Sequence, residues 1–490
     1  MACFSSAQLS KFSEKRITQE TFDAAVRENI EDFDMEPEEA LKSAVEEFMA
    51  QGVNLSNIIQ TASGGDISQH PAAKAVQELE DSLAAGDAAG MAAAAAAVAA
   101  AADGARVSSD KSTEVLAVLH RAGAAGALAR AAAACSGEPS ALAGVLRAAA
   151  GLLGSASRDL QAGFLQADGI EAVQAALGAA ADNAALAAAA LQVAAASATK
   201  NENGKAACMA AGLGGSCLEA LRQHADQPEA LEAACAVLCA LTTADDDTLP
   251  ASRAFPNARQ LAKEGAALQL VAALRSHERL PQETTIALAN ALRQVAANDE
   301  ICQEVAGAGG VQLALQVMEA GLADAVLARA LCSLLRQLVS SDGNKALLVE
   351  AGGLELLARL LTAHGGSPAV LEQALGLLTN LTLRNPEAAE KALDCGCLDS
   401  VLELMRVMLA AGPNGSGSSG NGKENRGTTA AQRQACMALR NIAVRSPDVR
   451  AALLDKGAEA LLRQVKAAYP ACADAGSAAL RDLGLDNYNS

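Results

Sequence analysis

Aromatic side chains are nearly missing from this sequence: there is no Trp, and two Tyr and seven Phe make up 2% of 490 residues. A chain so poor in them lacks the residues that fill sheets and the platforms on which nucleic-acid bases stack. Basic residues are also short, 38 against 57 acidic, for a net charge of -19. Residues 1 to 60 alone hold 12 acidic and 5 basic side chains. Phosphate binding depends on Lys and Arg, so this balance argues against a nucleic-acid partner. Long apolar runs are absent too. The longest, Ala88 to Ala102, is 15 residues of mostly Ala, shorter and less hydrophobic than the ~20 residues of a membrane span. The opening "MACFSSAQLSKFSEKR" carries no apolar signal core, so no membrane association is expected, and the cytoplasm or nucleus is.

Recognisable catalytic chemistry is scarce. Twelve Cys fall at irregular spacings, which fits reduced thiols better than a disulfide framework. Cys235 and Cys239 lie one helical turn apart, and Cys395 and Cys397 flank a glycine; neither pair has the second pair or the histidine of a zinc site. His70, His120, His224, His277 and His364 are scattered, with no HExxH. "GSSGNGKE", Gly417 to Glu424, follows the phosphate-loop spacing but ends in Glu where Ser or Thr would ligate magnesium, inside a linker-like Gly/Ser tract. The triplets beginning at Asn54, Asn380 and Asn414 are expected to stay unmodified without a secretory route. The expectation is a protein that is not an enzyme and takes no metal or cofactor.

What is abundant is Ala and Leu, both strong helix formers. Since cores stop growing near ~250 to 300 residues, a chain of this length is several domains or a repeat array. The glycines Gly123, Gly169, Gly212, Gly265, Gly309, Gly352, Gly396 and Gly457 each stand between a short helix and an apolar one, at intervals of 46, 43, 53, 44, 43, 44 and 61. The two long intervals hold insertions, "DDDTLPASRAFPN" from Asp245 and "GPNGSGSSGNGKENRG" from Gly412. A period of ~40 to 47 residues marks two- or three-helix solenoid repeats. Leu371, Ala374, Leu375, Leu378 and Leu381 line one helix face. Each unit therefore reads as short helix, glycine turn, helix, loop, long helix.

With its "GGLELL" and "ALGLLTNLTLRN" phrases, this unit resembles the armadillo repeat family over about residues 107 to 485. "RITQETFDAAVRENIEDF" from Arg16, "DDDTLP" from Asp245, "RQACMALRNI" from Arg433, "LDKGAEALL" from Leu454 and "AALRDLG" from Ala478 support the resemblance. It implies an all-α, right-handed α-solenoid of about eight to nine three-helix repeats that binds other proteins. The expected organisation is a disordered tail over 1–14 and an acidic helical segment over 15–62. A linker with an Ala-rich low-complexity segment over 63–106 follows, then the solenoid over 107–485 with a disordered insertion at 412–430. The Ala-rich stretch is open between helix and loosely ordered spacer.

Aligning the long helices "ANALRQVAAND", "CSLLRQLVSSD", "LGLLTNLTLRN" and "CMALRNIAVRS" puts Gln294, Gln337, Asn380 and Asn441 in one column. In armadillo proteins the matching position lines a concave groove and grips the main chain of an extended partner. A carboxamide donates and accepts at once, which suits any peptide backbone. Two readings stay open: groove residues that hold a partner, or amides bonded to backbone carbonyls at the seam between repeats. Earlier units place Ala196 or Ser197, then Ala240, near this column, confining the ladder to the second half. Nuclear-import adaptors of this fold carry a Trp one turn earlier; here Asn290, Ser333, Gly376 and Met437 stand there, against an importin-like groove. Arg293, Arg336 and Arg440 precede three of the rungs and would favour an acidic protein or peptide partner, unless they form only a solvated stripe.

At the N-terminus, Thr18 and Pro37 signal helices over about 18 to 32 and 37 to 50, with Phe22, Val26, Ile30 and Phe33 on one face. That face either caps the first repeat or meets a partner, and the acidic stretch Glu28 to Ala40 is a candidate occupant of the groove in cis. The function that emerges is an interaction scaffold or adaptor; the alternative is a structural spacer working through its ends or convex face.

Overall fold

Ala and Leu at three- and four-residue spacing fold into 28 α-helices in the computed structural model, which describes residues 15–55, 58–60, 67–107, 112–249, 251–412 and 422–486. The chain divides into two compact units, Met1–Asn257 and Ala258–Ser490. The expected tail over 1–14 lies outside the described residues.

The first unit opens with a small module. Helix α1 (Gln19–Glu31) is capped by the Thr18 hydroxyl, and α2 (Pro37–Ala50) starts on a proline, where the missing N–H costs nothing. Two-residue strands, β1 (Lys15–Arg16) and β2 (Val53–Asn54), pair in parallel. Phe22, Val26, Ala40, Ala44, Val53, Leu55 and Ile58 close a core of their own, with Ile30 and Phe48 against it. The apolar face of α1 is thus satisfied mainly inside the module. Phe33 was expected on that face, but α1 ends at Glu31 and leaves it 65% exposed. Arg16 ties the module onward through an ion pair of 3.1 Å to Asp159.

Two helices follow where a linker and low-complexity segment were expected: α3 (Pro71–Ala85) and α4 (Ala88–Val107). Helix α4 buries Met91, Ala94, Ala95, Val98 and Ala102, a single face at helical spacing. It packs against α7 (Pro139–Leu153), the long helix of the first triplet, whose other members are α5 (Ser112–Arg121) and α6 (Ala124–Ala134). The stack therefore begins with a helix pair at Pro71. The next triplets are α8 (Arg158–Gln166), α9 (Gly169–Gly178) and α10 (Ala184–Ala198), then α11 (Glu202–Ala210), α12 (Leu213–Gln223) and α13 (Pro228–Thr242). Long helices α4, α7, α10 and α13 pack in succession.

The acidic insertion after α13 is an internal clamp. Asp245 accepts from the Lys200 N–H at 3.0 Å and from Lys205 Nζ at 2.5 Å. Asp246 accepts from the Glu202 N–H at 3.1 Å and pairs with Arg158 at 2.9 Å. Lys205 is wholly buried and also reaches Glu202 at 2.9 Å and the Thr243 carbonyl at 2.6 Å. A buried ammonium persists only when its protons are all received, and three acceptors do so here.

In the second unit the triplets are α14 (Ala254–Lys263), in which the unit boundary falls, with α15 (Ala266–Leu274) and α16 (Gln282–Val295); then α17 (Asp299–Gly307), α18 (Gly310–Ala320) and α19 (Ala325–Leu338). After these come α20 (Asp342–Glu350), α21 (Gly353–Ala363) and α22 (Pro368–Thr382), and α23 (Pro386–Asp394), α24 (Cys397–Ala411) and α25 (Gly422–Arg445). The last are α26 (Pro447–Asp455), α27 (Ala458–Ala468) and α28 (Ala473–Asp482). Helix α25 begins inside the stretch expected as a disordered insertion, of which only 413–421 lies outside the described residues. Long helices α16, α19, α22, α25 and α28 pack one after another, as do α18, α21, α24 and α27. Each unit is thus a two-layer α-solenoid, and the described residues hold eight triplets behind the initial pair.

Seven of the eight turn glycines adopt the left-handed conformation, with φ between 75° and 91°, at no Cβ penalty. The exception is the second triplet, where Asp168 takes that role at φ 54° and Gly169 is the first helical residue. Gly169 serves packing instead, since a Cβ there would lie 2.4 Å from the Phe164 ring.

Candidate functional site

The four amides of the column all stand near the C-terminal ends of long helices in the second unit: Gln294 on α16, Gln337 on α19, Asn380 on α22 and Asn441 on α25. All four are half-buried. Gln337 Nε2 donates to the Ala296 carbonyl at 2.7 Å, Asn380 Nδ2 to that of Arg336 at 3.2 Å, and Asn441 Nδ2 to that of Thr379 at 2.9 Å. Each bond crosses to the preceding triplet, and the acceptors of Asn380 and Asn441 adjoin the previous rung in sequence. The amides therefore line the same side of successive helices. The seam bonds anticipated by one reading are present at three positions. At Asn380 and Asn441 they use one of the two N–H groups of the carboxamide, and among the described residues no donor reaches the carboxamide oxygen of either; the Gln337 side chain also bonds the Cys302 thiol.

The arginines are not equivalent. Arg293 and Arg336 are half-buried, and no carboxylate among the described residues forms an ion pair with either. The Arg336 guanidinium lies against α22 at Gly376, where a Cβ would sit 2.7 Å from its Nη1 and 2.8 Å from its Cζ. Gly376 is therefore what lets Arg336 bridge two rungs. Arg440 departs from the expected free basic shoulder, because its Nε donates to Asp482 Oδ2 of α28 at 2.8 Å. Two helical turns earlier on the same face, Arg433 meets Asp474 with two bonds, at 2.5 and 2.6 Å. Hydrogen bonds from Arg433 push the Asp474 carboxyl down to about 2. The acids of α28 lie too far along the chain for periodicity to have paired them with α25.

Three residues past each amide come Ala297, Ser340, Leu383 and Val444. The last two are large, apolar and exposed, at 43% and 46%. Exposed leucine and valine beside the amides gave no signal in the sequence, because both fit the leucine-rich pattern of a core.

Chemistry elsewhere is quiet. Burial pushes the thiols of Cys208, Cys332 and Cys436 up to about 12, so they are protonated and weakly nucleophilic at neutral pH. Among the described residues no group of three or more His, Cys, Asp and Glu is placed to hold a metal ion, and no helix is long and apolar enough to cross a membrane. His224 and His364 contact loop carbonyls of the preceding triplets, Ala180 at 3.2 Å and Leu322 at 2.7 Å. Of the phosphate-loop-like stretch, residues 417–421 lie outside the described residues and Gly422 opens α25.

Comparison with known proteins bears on both the module and the repeats. Residues 14–82 match the family described as the armadillo repeat-containing protein 6 N-terminal domain, and residues 341–383, which span α20 to α22, match the armadillo/beta-catenin-like repeat. Armadillo repeat-containing protein 6 of Homo sapiens is 31% identical over 401 residues, covering 79% of this chain and 78% of its own. The homolog of Drosophila melanogaster is 26% identical, over 78% of this chain and 80% of its own. Among solved structures, a designed armadillo repeat protein aligns over 55% of this chain and 99% of its own, with 21% identity and a TM-score of 0.43.

Proposed function

The chain belongs to the armadillo repeat-containing protein 6 family, and from that premise we propose that it is a protein–protein interaction scaffold, working in the cytoplasm or nucleus. In this reading an extended, acidic segment of a partner lies along the open side of the long-helix layer, over Gln294, Gln337, Asn380 and Asn441. Arg293 and Arg336 flank it. Arg440 belongs to the same shoulder but acts there only when released from Asp482. The observation that carries the reading is the alignment of half-buried amides on one side of successive helices, with carboxamide oxygens at Asn380 and Asn441 that no donor among the described residues reaches. Rungs ~10 Å apart would meet roughly every third residue of a strand advancing ~3.3 Å per residue. Each added hydrogen bond contributes only ~0.5 to 1.5 kcal/mol, so the amides supply register and the flanking side chains much of the affinity.

A second reading, a structural spacer, is favoured by the seam bonds themselves, which give the same amides a role without any partner. Proximity labelling separates the two. The Asn380→Ala/Asn441→Ala chain, checked for folding by its melting temperature, is compared with Ser333→Tyr, which obstructs the open side at a position without a seam bond. Loss of a common set of neighbours in both variants is the expected result. Unchanged neighbours in both would leave the spacer.

A further inference from the structure

The open side of the second unit is chemically divided along its length. We infer that its occupant is a two-part segment: acidic residues over the rungs of Gln294 and Gln337, and apolar residues over those of Asn380 and Asn441. This rests on the groove reading above and specifies its ligand.

Three features place the division. Among the described residues, the arginines beside the rungs that lack an ion-pair partner stand over the first two. Arg293 and Arg336 have no ion-pair partner among the described residues, and Arg329, two helical turns before Arg336 on α19, is exposed and has none there either. Over the last rung the same two positions, Arg433 and Arg440, are already neutralised by Asp474 and Asp482 of α28. Apolar surface shows the reverse order: Leu383 and Val444 are exposed beside Asn380 and Asn441, whereas Ala297 and Ser340 hold the corresponding places beside Gln294 and Gln337. Residues 258–490 carry 22 Lys or Arg against 24 Asp or Glu, while residues 1–257 carry 16 against 33. The unit that bears the ladder is thus close to neutral, and its local arginines are not overridden by a surrounding negative field.

Gly376 marks the junction. Its missing side chain lets the Arg336 guanidinium rest between the second and third rungs. There it meets a carboxylate adjacent to the first apolar residue of the ligand.

The test uses the full chain and fluorescein-labelled synthetic peptides read by anisotropy. The probe joins a glutamate-rich block to a block with leucine at every third residue, in both chain directions, with each block alone and a lysine-for-glutamate version as comparisons. One direction of the joined peptide binds tightest, and its affinity falls with added NaCl. Arg293→Glu/Arg329→Glu/Arg336→Glu weakens it roughly tenfold or more while leaving the leucine block unaffected, and Leu383→Glu/Val444→Glu does the converse for the glutamate block. Gly376→Ala, whose Cβ would displace the Arg336 guanidinium, weakens only peptides that contain the glutamate block. The inference is overturned if the lysine version binds as well as the glutamate one, if the arginine reversals change nothing, or if neither direction of the joined peptide binds. Should Asn380→Ala/Asn441→Ala still reduce partner labelling in those cases, the groove reading stands and only this ligand is wrong. If the amide and Ser333→Tyr variants also leave labelling unchanged, the groove itself has failed.

Discussion

Lys205 shows how one side chain ties several segments together. Its ammonium holds Glu202 of its own helix, Asp245 of the insertion and the Thr243 carbonyl at the end of α13. Removing one partner of a buried pair strands the other, at about 3 to 5 kcal/mol, so Lys205→Met is expected to lower the melting temperature sharply, measured by circular dichroism. The carboxyls of this cluster also set an acid limit. Burial opposes ionisation of Glu202, but the bonds from Lys205 and the Arg253 N–H outweigh it and hold its carboxyl below the usual range. Asp246 is likewise held down, through Thr248 and the Glu202 N–H against its burial. Folded values below the unfolded ones mean that this stability is fully present above the unfolded carboxylate range near ~4. It is lost as pH falls through the lowered values. Acid titration of Glu202→Gln should accordingly show a shallower fall in stability below that range than the parent; an identical profile would remove the cluster from the account. Glycines make a second contrast. A Cβ at Gly353 would lie 2.3 Å from Leu348 Cδ2 and 2.8 Å from the Leu348 carbonyl oxygen, whereas at Gly376 its nearest neighbours are the guanidinium atoms at the end of the Arg336 side chain. Gly353→Ala is expected to destabilise by about 1 to 3 kcal/mol. Gly376→Ala should be neutral or slightly stabilising, because Ala is the better helix former by about 1 kcal/mol.

The pair α3 and α4 is where an element most changes the reading of the chain. Ala88 to Val107 has so little hydrophobic contrast that sequence could not separate a helix from a loose spacer. Its partner decides: α7 presents the surface against which α4 packs, with Ala92 close to Gly144 and Ala99 close to Gly151. A chain beginning at residue 112 should therefore expose that surface of α7, melt lower and self-associate, whereas one beginning at residue 67 should keep α5 to α7 protected from hydrogen exchange. Equal protection in the two would return 63–106 to the status of a linker. Elsewhere the elements were legible because their signals are local. The glycine period, Thr18 and Pro37 mark backbone geometry that neighbouring residues impose, and the helices lie where those marks put them. What escaped depends on distance between segments. The turn residue at Asp168 rather than Gly169 follows from the room the Phe164 ring needs, and the start of α25 at Gly422 runs against the poor helix propensity of its Gly- and Asn-containing first turns. The amide column was visible from alignment alone. Its seam bonds, the capture of Arg440 by Asp482 and the place of Arg336 over Gly376 required the spacing of one triplet from the next, which no pattern within a single helix encodes.

At the scale of the whole molecule, charge and repeat architecture act together. A solenoid has few long-range contacts in sequence, so its stability is a sum of repeat and neighbour terms, and one region can open while another stays closed. The negative charge is concentrated in residues 1–257, which carry 33 acidic against 16 basic side chains, while residues 258–490 are nearly balanced. Self-repulsion weakens a compact state, and its reach shrinks from about 30 Å at 0.01 M salt to about 8 Å at 0.15 M. Added NaCl should consequently protect the first unit more than the second. The clamp around Lys205 tempers the gain locally, since those charges are paired and screened little; the effect should be greatest in the N-terminal module, where Glu31, Asp32, Asp34, Glu36, Glu38 and Glu39 are all exposed. Hydrogen exchange followed by mass spectrometry resolves this segment by segment. Between low and physiological NaCl, α1 and α2 are expected to gain the most protection, α8 to α13 less, and α16 to α28 almost none. Sodium chloride is the appropriate salt, because sulfate strengthens apolar burial throughout and would raise every segment alike. A uniform rise with chloride would mean that the acidic excess is solvated without strain, and that the first unit bears no electrostatic cost for it.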